Sequence, residues 1–353
     1  MTQSIRWGII GTGIIARKFA ADLQLLPDAQ LTAVGSRSQS TAREFGRLFN
    51  IPSCYGRYEE LAADSQVDVI YIAAPHVFHF ENTMLCLKNG KAVLCEKPFS
   101  INAQQAEIMI NCAREKNLFL MEAMWTRFLP VITRLCQLLD EKIIGDIKFV
   151  TANLGFKTDF GPEHRLMSLK LGGGALLDIG VYPISLTSML LGVPDTLTSM
   201  VQYAATGVDE QAAILFKYAN NVLAAIHTSI KVQTSNEMLV VGTKGQINLD
   251  APLYRPGKLT LQLEGQSKQE IMAPCTGGGY QYQAAEVMLC LREGKTESRI
   301  MSLADTFSVM QIMDRIRAQW GLKYPGEADG CHSLSAARQA SPRHRRGRGI
   351  CAS

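Results

Sequence analysis

The stretch Ile5–Ala16, with the sequence IRWGIIGTGIIA, decides the fold of the N-terminal third of the chain. Its first six residues form an apolar run that predicts a buried strand, and a G-x-G-x-x-A pattern follows at once. A helical pattern continues over residues 14–26, and a second buried strand is predicted from Leu31 to Gly35. A strand, a glycine turn and a helix in this order are the context in which the pattern marks a dinucleotide-binding unit.

Each position of the pattern has a physical task. Gly11 makes the tight turn, Gly13 lets the backbone approach a pyrophosphate, and Ala16 permits close packing of the helix on the strand. Ile14 and Ile15 then begin a helix whose free N–H groups and partial positive charge attract phosphate. We therefore predict that Gly11, Gly13, Ile14 and Ile15 bind a dinucleotide; the alternative is a tight turn without a ligand.

Further apolar strands alternate with helical patterns up to residue 123. Strands are predicted at Val67–Ala73, Lys91–Cys95 and Leu118–Met121, with helices at 38–49, 77–89 and 102–116. Continuously apolar strands alternating with helices predict a parallel sheet covered on both faces. The fold class is α/β, and residues 1–123 are predicted to form an N-terminal Rossmann domain with a doubly wound parallel sheet.

The pattern changes after residue 123, and residues 124–325 are predicted to form a C-terminal α+β domain with a large, mostly antiparallel open sheet. Helices are expected at 130–140, 172–191, 281–293 and 303–319, and strands at 147–154, 195–204, 210–218, 221–232, 236–242 and 245–249. An apolar sheet face needs a cover, so we expect a homodimer through the open face. Residues 326–353 lose all periodicity and are predicted to be a disordered basic tail.

Bulk properties restrict the class of protein. The 353 residues are 47% hydrophobic and 19% charged, which is typical of a globular enzyme, and Asp178 interrupts the longest apolar stretch, so no membrane span is expected. Nine cysteines without a C-x-x-C pair indicate reduced thiols, a cytoplasmic protein and no metal site. Of the net charge of +4, residues 327–353 carry five arginines and two acids, so the charge does not indicate a nucleic-acid partner.

The residues that follow the second strand predict the cofactor. NAD-binding domains usually place Asp or Glu there for the ribose hydroxyls, whereas this chain has Ser36, Arg37 and Ser38. An arginine beside small hydroxyl side chains suits a 2′-phosphate. We therefore predict NADP, bound through Ser36 and Arg37; the alternative for Arg37 is a solvated surface side chain.

Three further clusters carry side chains with chemical potential. Pro75 and His79 follow the third predicted strand, and Glu96, Lys97 and Pro98 follow the fourth, at the sheet edge where ligands bind. The sequence GGGALLDIGVY places Asp178 and Tyr182 four residues apart, on one face of a helix. Taken singly, each cluster has a structural alternative: an ordinary turn, a helix start, or a polar pair bonded to the neighbouring sheet.

In combination these clusters resemble the glucose-fructose oxidoreductase, inositol dehydrogenase and rhizopine catabolism family, abbreviated Gfo/Idh/MocA. The motifs G-x-G-x-x-A, P-x-x-x-H, E-K-P and D-x-G-x-Y occur in that order over residues 3–325. The resemblance implies a catalytic pair of Lys97 and Tyr182 supported by Asp178. It further implies contacts to cofactor or substrate from residues Pro75, His79, Glu96, Trp125, Arg127 and Phe156.

The implied reaction is NADP-dependent oxidation of a small substrate that carries vicinal hydroxyls on a six-membered ring. Tyr182 would accept the hydroxyl proton, which a nearby ammonium such as that of Lys97 favours, and Asp178 would orient Lys97 or a substrate hydroxyl. Tyr254 and the loop at 274–280 depart from the family pattern. Two alternatives remain: another sugar or polyol dehydrogenase of the family, and a catalytically silent NADP-sensing regulator.

Overall fold

The structure is a computed structural model that describes residues 3–327. The predicted basic tail therefore lies outside the described residues except for Gly326 and Glu327. Glu327 is held in place, since its carboxylate accepts hydrogen bonds from Arg317 at 2.7 and 2.9 Å and from the Tyr324 N–H at 2.7 Å. The described chain divides into two compact units: residues 3–129 with 275–310, and residues 130–274 with 311–327.

The first unit contains a six-stranded, all-parallel sheet. Its strands are β1 (Ile5–Ile10), β2 (Ala29–Gly35), β3 (Ser53–Tyr55), β4 (Val69–Ile72), β5 (Ala92–Glu96) and β6 (Leu120–Ala123). They lie in the order β3-β2-β1-β4-β5-β6, which is the doubly wound order of dinucleotide-binding domains. The Rossmann prediction is confirmed, although the sequence analysis missed the three-residue strand β3.

Helices cover both faces of this sheet, as continuously apolar strands require. They are α1 (Ile14–Leu23), α2 (Gln39–Phe49), α3 (Tyr58–Ala63), α4 (His79–Lys88) and α5 (Ala103–Glu115), with short 3₁₀ turns at His76–Phe78 and Trp125–Phe128. Between sheet and helix, Trp7, Phe19 and Tyr71 form a fully buried aromatic cluster in which Phe19 stacks on Tyr71 at 3.7 Å.

A C-terminal segment returns to the first unit. It contains α8 (Tyr280–Arg292) and the beginning of α9 (Leu303–Trp320), which runs past the division at residue 310. The carboxylate of Asp22, on α1, accepts the N–H groups of Gly278 and Tyr280 at 2.7 and 2.8 Å and so anchors the start of α8. The compact units thus differ from two continuous stretches of chain, because a buried charge on α1 binds the loop before α8.

The second unit contains an eight-stranded sheet. Its strands are β7 (Ile147–Gly155), β8 (Thr196–Tyr203), β9 (Asp209–Lys217), β10 (Leu223–Ser229), β11 (Met238–Gly242), β12 (Gly245–Leu249), β13 (Lys258–Leu263) and β14 (Gln269–Met272). The order is β14-β13-β12-β11-β7-β10-β9-β8, and only the pair β7 and β10 is parallel. The predicted mostly antiparallel sheet is confirmed; β13 and β14 were missed.

One face of this sheet is covered by helix. The covering segment begins with a five-residue π-helix, Leu176–Gly180, which continues directly into α7 (Val181–Leu191). The helix α6 (Pro130–Asp140) precedes β7, and short 3₁₀ turns lie at Arg165–Met167 and Leu169–Leu171. By length and composition, Leu169–Leu191 is the one described stretch that could cross a membrane. In this stretch, 89% of the most apolar 18-residue window is buried in the protein, and a buried core helix has the same length and composition as a membrane span.

Candidate active site

The glycine turn after β1 is shaped for close approach. Gly11 has φ +102°, and a Cβ there would lie 2.7 Å from the carbonyl oxygen of Ala73, which follows β4. Gly13 differs, because a Cβ at that position would meet no protein atom within 4 Å. The turn therefore closes tightly against the neighbouring strand at Gly11 and leaves open space at Gly13.

The start of α1 completes a site for an anion. No side chain caps the helix, no acidic residue occupies its first turn, and Gly13 serves as the N-cap. Ile14 is 74% exposed and Ile15 is 37% exposed, although both are large apolar side chains. Free N–H groups at a helix start and an uncovered apolar surface beside them fit a dinucleotide with its pyrophosphate at Gly13.

The segment after β2 carries one charged side chain, Arg37, between two serines. Arg37 is exposed, whereas Ser36 is buried and its hydroxyl contacts that of Thr41 at 2.6 Å. The charge of Arg37 reaches Tyr58, where it partly offsets the burial that raises the pKa of that phenol. No carboxylate occurs in residues 36–38, so the positive charge of Arg37 has no acidic partner within this segment.

Lys97 lies in a turn, residues 96–99, that we call the Lys97 turn. Glu96 is buried; one of its oxygens accepts the phenol hydrogen of Tyr71, and the other accepts the Lys97 N–H at 3.2 Å. The Lys97–Pro98 peptide bond is cis. Glu96 thus joins two strand ends by its side chain, which gives it a structural task in addition to its predicted cofactor contact.

His79 contacts two strand-end loops at once, which gives it a structural task, and its predicted cofactor contact stays a prediction. Its Nδ1 lies 2.7 Å from the Pro98 carbonyl oxygen and its Nε2 lies 2.9 Å from the Ala74 carbonyl oxygen, with the residue fully buried. Burial and then the charge of His76 lower the pKa of His79 to about 3. Both ring nitrogens are engaged by backbone, so His79 holds loops together; Pro75 begins the neighbouring 3₁₀ turn.

Trp125 and Arg127 are also held inside the first unit. The Trp125 ring is 3% exposed and stacks on Tyr280 at 4.5 Å, and the Arg127 side chain is 1% exposed and lies 3.5 Å from the Asp305 carboxylate. Arg127 also donates to the Ile300 carbonyl at 3.4 Å. These contacts show packing and charge pairing, so a cofactor contact by either side chain stays a prediction.

Asp178 and Tyr182 lie on either side of the junction at which the π-helix meets α7, and their common helix face stays a prediction. The π-helix contains Asp178 and ends at Gly180, two residues before Tyr182. Asp178 is buried and accepts a hydrogen bond from Nη1 of Arg165 at 2.8 Å. Single-turn π-helices occur frequently at functional sites.

Aromatic side chains surround Tyr182 within the second unit. The Tyr254 ring lies 6.2 Å from that of Tyr182 and 5.8 Å from that of Phe156. Phe156 thus belongs to the same cluster as the candidate base, and Tyr254, noted only as a departure from the family pattern, joins it. The three rings are tilted to one another by 54° and 59°, so they form an apolar cluster of aromatic edges and faces around the Tyr182 phenol.

Two polar residues that no sequence motif indicated bind Asp178 and the start of the π-helix. Arg165 is the ion-pair partner of Asp178, and the only sequence signal for it is a charged residue shortly before the glycine run. Asp209, at the start of β9, is fully buried and accepts the Leu176 N–H at 2.6 Å, where the π-helix begins. Among residues 3–327, no group of three His, Cys, Asp or Glu side chains is placed to hold a metal ion.

Comparison with known proteins decides the family. Residues 5–124 match the model of an oxidoreductase family with an NAD-binding Rossmann fold, GFO_IDH_MocA, and residues 132–248 match the GFO/IDH/MocA C-terminal domain. The chain belongs to this oxidoreductase family. Its GFO/IDH/MocA relatives include trans-1,2-dihydrobenzene-1,2-diol dehydrogenases from Xenopus laevis (40% identity) and Homo sapiens (38%). The alignments cover 92% of this chain and 100% and 99% of the relatives.

Solved structures of GFO/IDH/MocA proteins share the architecture. KijD10, a 3-ketoreductase from Actinomadura kijaniata in complex with NADP and TDP-benzene, is 26% identical, with a TM-score of 0.80 over 90% of this chain and 98% of its own. A levoglucosan dehydrogenase in complex with NADH and levoglucosan has a TM-score of 0.83 at 19% identity and shows the fold alone. The N-terminal sheet is therefore an NAD(P)-binding Rossmann fold.

Proposed function

We propose that the chain is an NADP-dependent dehydrogenase that oxidises vicinal diols on six-membered rings: trans-1,2-dihydrobenzene-1,2-diol to catechol, and D-xylose to xylonolactone. The observation that carries this proposal is the 36–40% identity, over 92% of the chain, to dehydrogenases named for the dihydrodiol. The aromatic cluster of Phe156, Tyr182 and Tyr254 supports a ring-shaped substrate of this class.

The proposed chemistry divides between side chains and cofactor. When bound, NADP⁺ accepts a hydride from the carbon that bears the reacting hydroxyl. Tyr182 accepts the hydroxyl proton through its phenol oxygen, and the Lys97 ammonium donates a hydrogen bond to the oxygen on which negative charge develops. Asp178, oriented by Arg165, accepts a hydrogen bond from a substrate hydroxyl.

The residue types are supported by one of the solved structures. KijD10 has been solved with a lysine changed to alanine or glutamate and with a tyrosine changed to phenylalanine. These two positions are 84 residues apart in that chain, against 85 between Lys97 and Tyr182 here. A lysine and a tyrosine at matching separation support the assignment of Lys97 and Tyr182 to the reaction.

The proposed products follow from the substrates. Removal of a hydride and a proton from the dihydrodiol leaves a hydroxy-dienone, which tautomerises to catechol and gains aromaticity. The same removal at C1 of the sugar ring leaves a lactone. In each case one C–H and one O–H bond break, one C=O bond forms, and NADP⁺ is reduced to NADPH with release of a proton.

The test compares the two substrates on one preparation of the full chain. Each is incubated with NADP⁺, the absorbance of NADPH is followed, and inositol and glucose serve as other polyols. We expect turnover with the dihydrodiol and D-xylose. Turnover with inositol or glucose alone would favour another sugar or polyol dehydrogenase, and NADPH binding without any turnover would favour a silent regulator.

The preference for NADP is tested at Arg37. Replacement of Arg37 by Ala is expected to raise Kd for NADP about tenfold to a hundredfold, since a charged hydrogen bond contributes about 1.5–3 kcal/mol. Binding of NAD should change little, because it has no 2′-phosphate. Titration of cofactor fluorescence measures both constants, and Arg57→Ala, at another surface arginine of the same unit, is the control. Equal losses for the two cofactors would contradict the phosphate contact.

We also propose a cytoplasmic homodimer that associates through the open sheet face. Leu215 and Leu223 are at least half exposed, and Met200 is 80% exposed. The strand register makes them neighbours: Leu215 pairs with Ala225, two residues beyond Leu223, and Met200 pairs with Ala213. A contiguous exposed apolar patch of this kind favours association.

A further inference from the structure

Glu122 is a buried carboxyl group that the proposed reaction does not use. It lies on β6, where Cys95 of β5 is its register partner, and no part of the residue is exposed. Two residues beyond Cys95, the chain of β5 reaches Lys97. Glu122 is therefore one strand away from the start of the Lys97 turn, inside the first unit.

The carboxyl group binds the end of that turn. Oε1 of Glu122 accepts the Phe99 N–H at 3.1 Å, two residues after Lys97. Cys95 donates to the Phe99 carbonyl at 3.6 Å, and His79 contacts the Pro98 carbonyl at 2.7 Å. Side chains from β5, β6 and α4 therefore fix successive peptide groups of the turn, and Glu122 is the only one of the three that carries a carboxylate.

The charge of Glu122 is finely balanced. Its second oxygen, Oε2, is fully buried. Burial raises the pKa of Glu122, and Glu96 on β5 raises it further. The charge of Arg127, the Phe99 N–H and the Thr306 hydroxyl lower it, and together these effects give a pKa of about 7. Cys95 also faces the carboxyl, but burial raises its pKa and keeps the thiol neutral, while Asp305 of α9 pairs with Arg127.

We propose that Glu122 is a positioning residue for Lys97: its carboxylate holds the Lys97 turn through the Phe99 N–H, and protonation loosens that hold. The proposal rests on the proposed function insofar as Lys97 takes part in the reaction. Because the Phe99 N–H favours the ionised carboxyl, linkage requires that ionisation strengthens this hydrogen bond. Hydrogen bonds to ionised groups are roughly twice as strong as those between neutral groups.

Replacement of Glu122 by Gln tests the effect on turnover, since the amide keeps the acceptor oxygen and cannot ionise. We expect the ratio of wild-type kcat to Glu122→Gln kcat to be near unity below about pH 6 and to rise roughly fivefold above about pH 8, as a difference of about 1 kcal/mol implies. Glu107→Gln, an exposed acid on α5, is the control and should match wild type throughout. A ratio that does not vary with pH overturns the proposal.

Hydrogen exchange at the Phe99 amide gives a readout that needs neither turnover nor a variant. In the wild-type chain, protection of this amide relative to neighbouring amides should fall severalfold as the pH drops from about 8 to about 6. This expected change in protection runs opposite to the contribution of Glu122 to global stability. Because the pKa of Glu122 is raised, that contribution is greatest at low pH and declines as the pH rises through about 7.

The opposite pH dependences of Phe99 protection and of global stability distinguish a residue that positions the Lys97 turn from one that only stabilises the fold. Protection at Phe99 that follows global stability, or that does not change with pH, overturns the proposal even if Glu122→Gln fails to fold. If protection changes as expected but the chain oxidises none of the substrates tested, the proposed function is contradicted. The assignment of Glu122 to the Lys97 turn is then still supported.

Discussion

Replacing Lys97 by Met, or Tyr182 by Phe, is expected to lower kcat by about 10²–10⁴-fold while binding of NADP survives, because positioned proton transfer contributes a factor of this size. Methionine retains most of the aliphatic length of lysine but cannot donate to a developing alkoxide. Phenylalanine keeps the ring beside Tyr254 and removes only the oxygen that accepts the proton. Steady-state kinetics with the dihydrodiol, together with NADPH fluorescence titration, measure both effects.

Matched changes elsewhere in the chain control for loss of structure. Lys88→Met alters an exposed lysine on α4, and Tyr203→Phe removes the phenol that donates to the Trp320 carbonyl at 2.9 Å. Both controls should retain wild-type kcat. Near-normal turnover in Lys97→Met and Tyr182→Phe would end the assignment of these two residues to the reaction.

Replacing Gly174 by Ala is expected to lower the free energy of unfolding by about 2–4 kcal/mol, from overpacking and left-handed strain together. The residue has φ +110°, and an added Cβ would lie 2.0 Å from Oδ1 of Asp209. Asp209 cannot retreat cheaply, since its other oxygen holds the Leu176 N–H at the start of the π-helix. Denaturant unfolding of wild type and variant measures the difference.

Gly265→Ala separates the collision from the strain. Gly265 also has positive φ, at +71°, but an added Cβ there would meet no atom within 4 Å. It should lose only about 1–2 kcal/mol, the cost of the left-handed backbone. Equal decreases in the free energy of unfolding for Gly174→Ala and Gly265→Ala would mean that contact with Asp209 does not contribute to the effect at Gly174.

Local patterns predicted the parallel, doubly wound N-terminal sheet because continuously apolar strands, glycine turns and helical periodicity all agreed there. The three-residue strand β3 was missed because so short a strand leaves no period to detect. Strands β13 and β14 were missed because their exposed positions carry charged and polar side chains such as Lys258 and Glu270, which pair with each other at 2.7 Å. A strand in which apolar residues alternate with charged, salt-bridged residues is therefore hard to recognise from its apolar residues alone.

Motif chemistry located the candidate site residues but not their partners. Asp178 was found from its place in D-x-G-x-Y, whereas Arg165, thirteen residues earlier, depends on how the loop folds back. His79 was predicted to contact cofactor, and nothing in the sequence indicated that its two ring nitrogens lie beside the Pro98 and Ala74 carbonyl oxygens. Spacing in one dimension reveals which residue types are present, and only tertiary contacts show what each polar atom binds.

The return of the chain to Asp22 has a consequence for biosynthesis. The N–H groups that this carboxylate holds belong to residues 256 and 258 positions further on. Contacts so distant in sequence form slowly and only after the intervening chain exists. During translation, the nascent N-terminal sheet is therefore complete at Ala123 while α1 is still uncovered by α8, which begins 157 residues further on, at Tyr280.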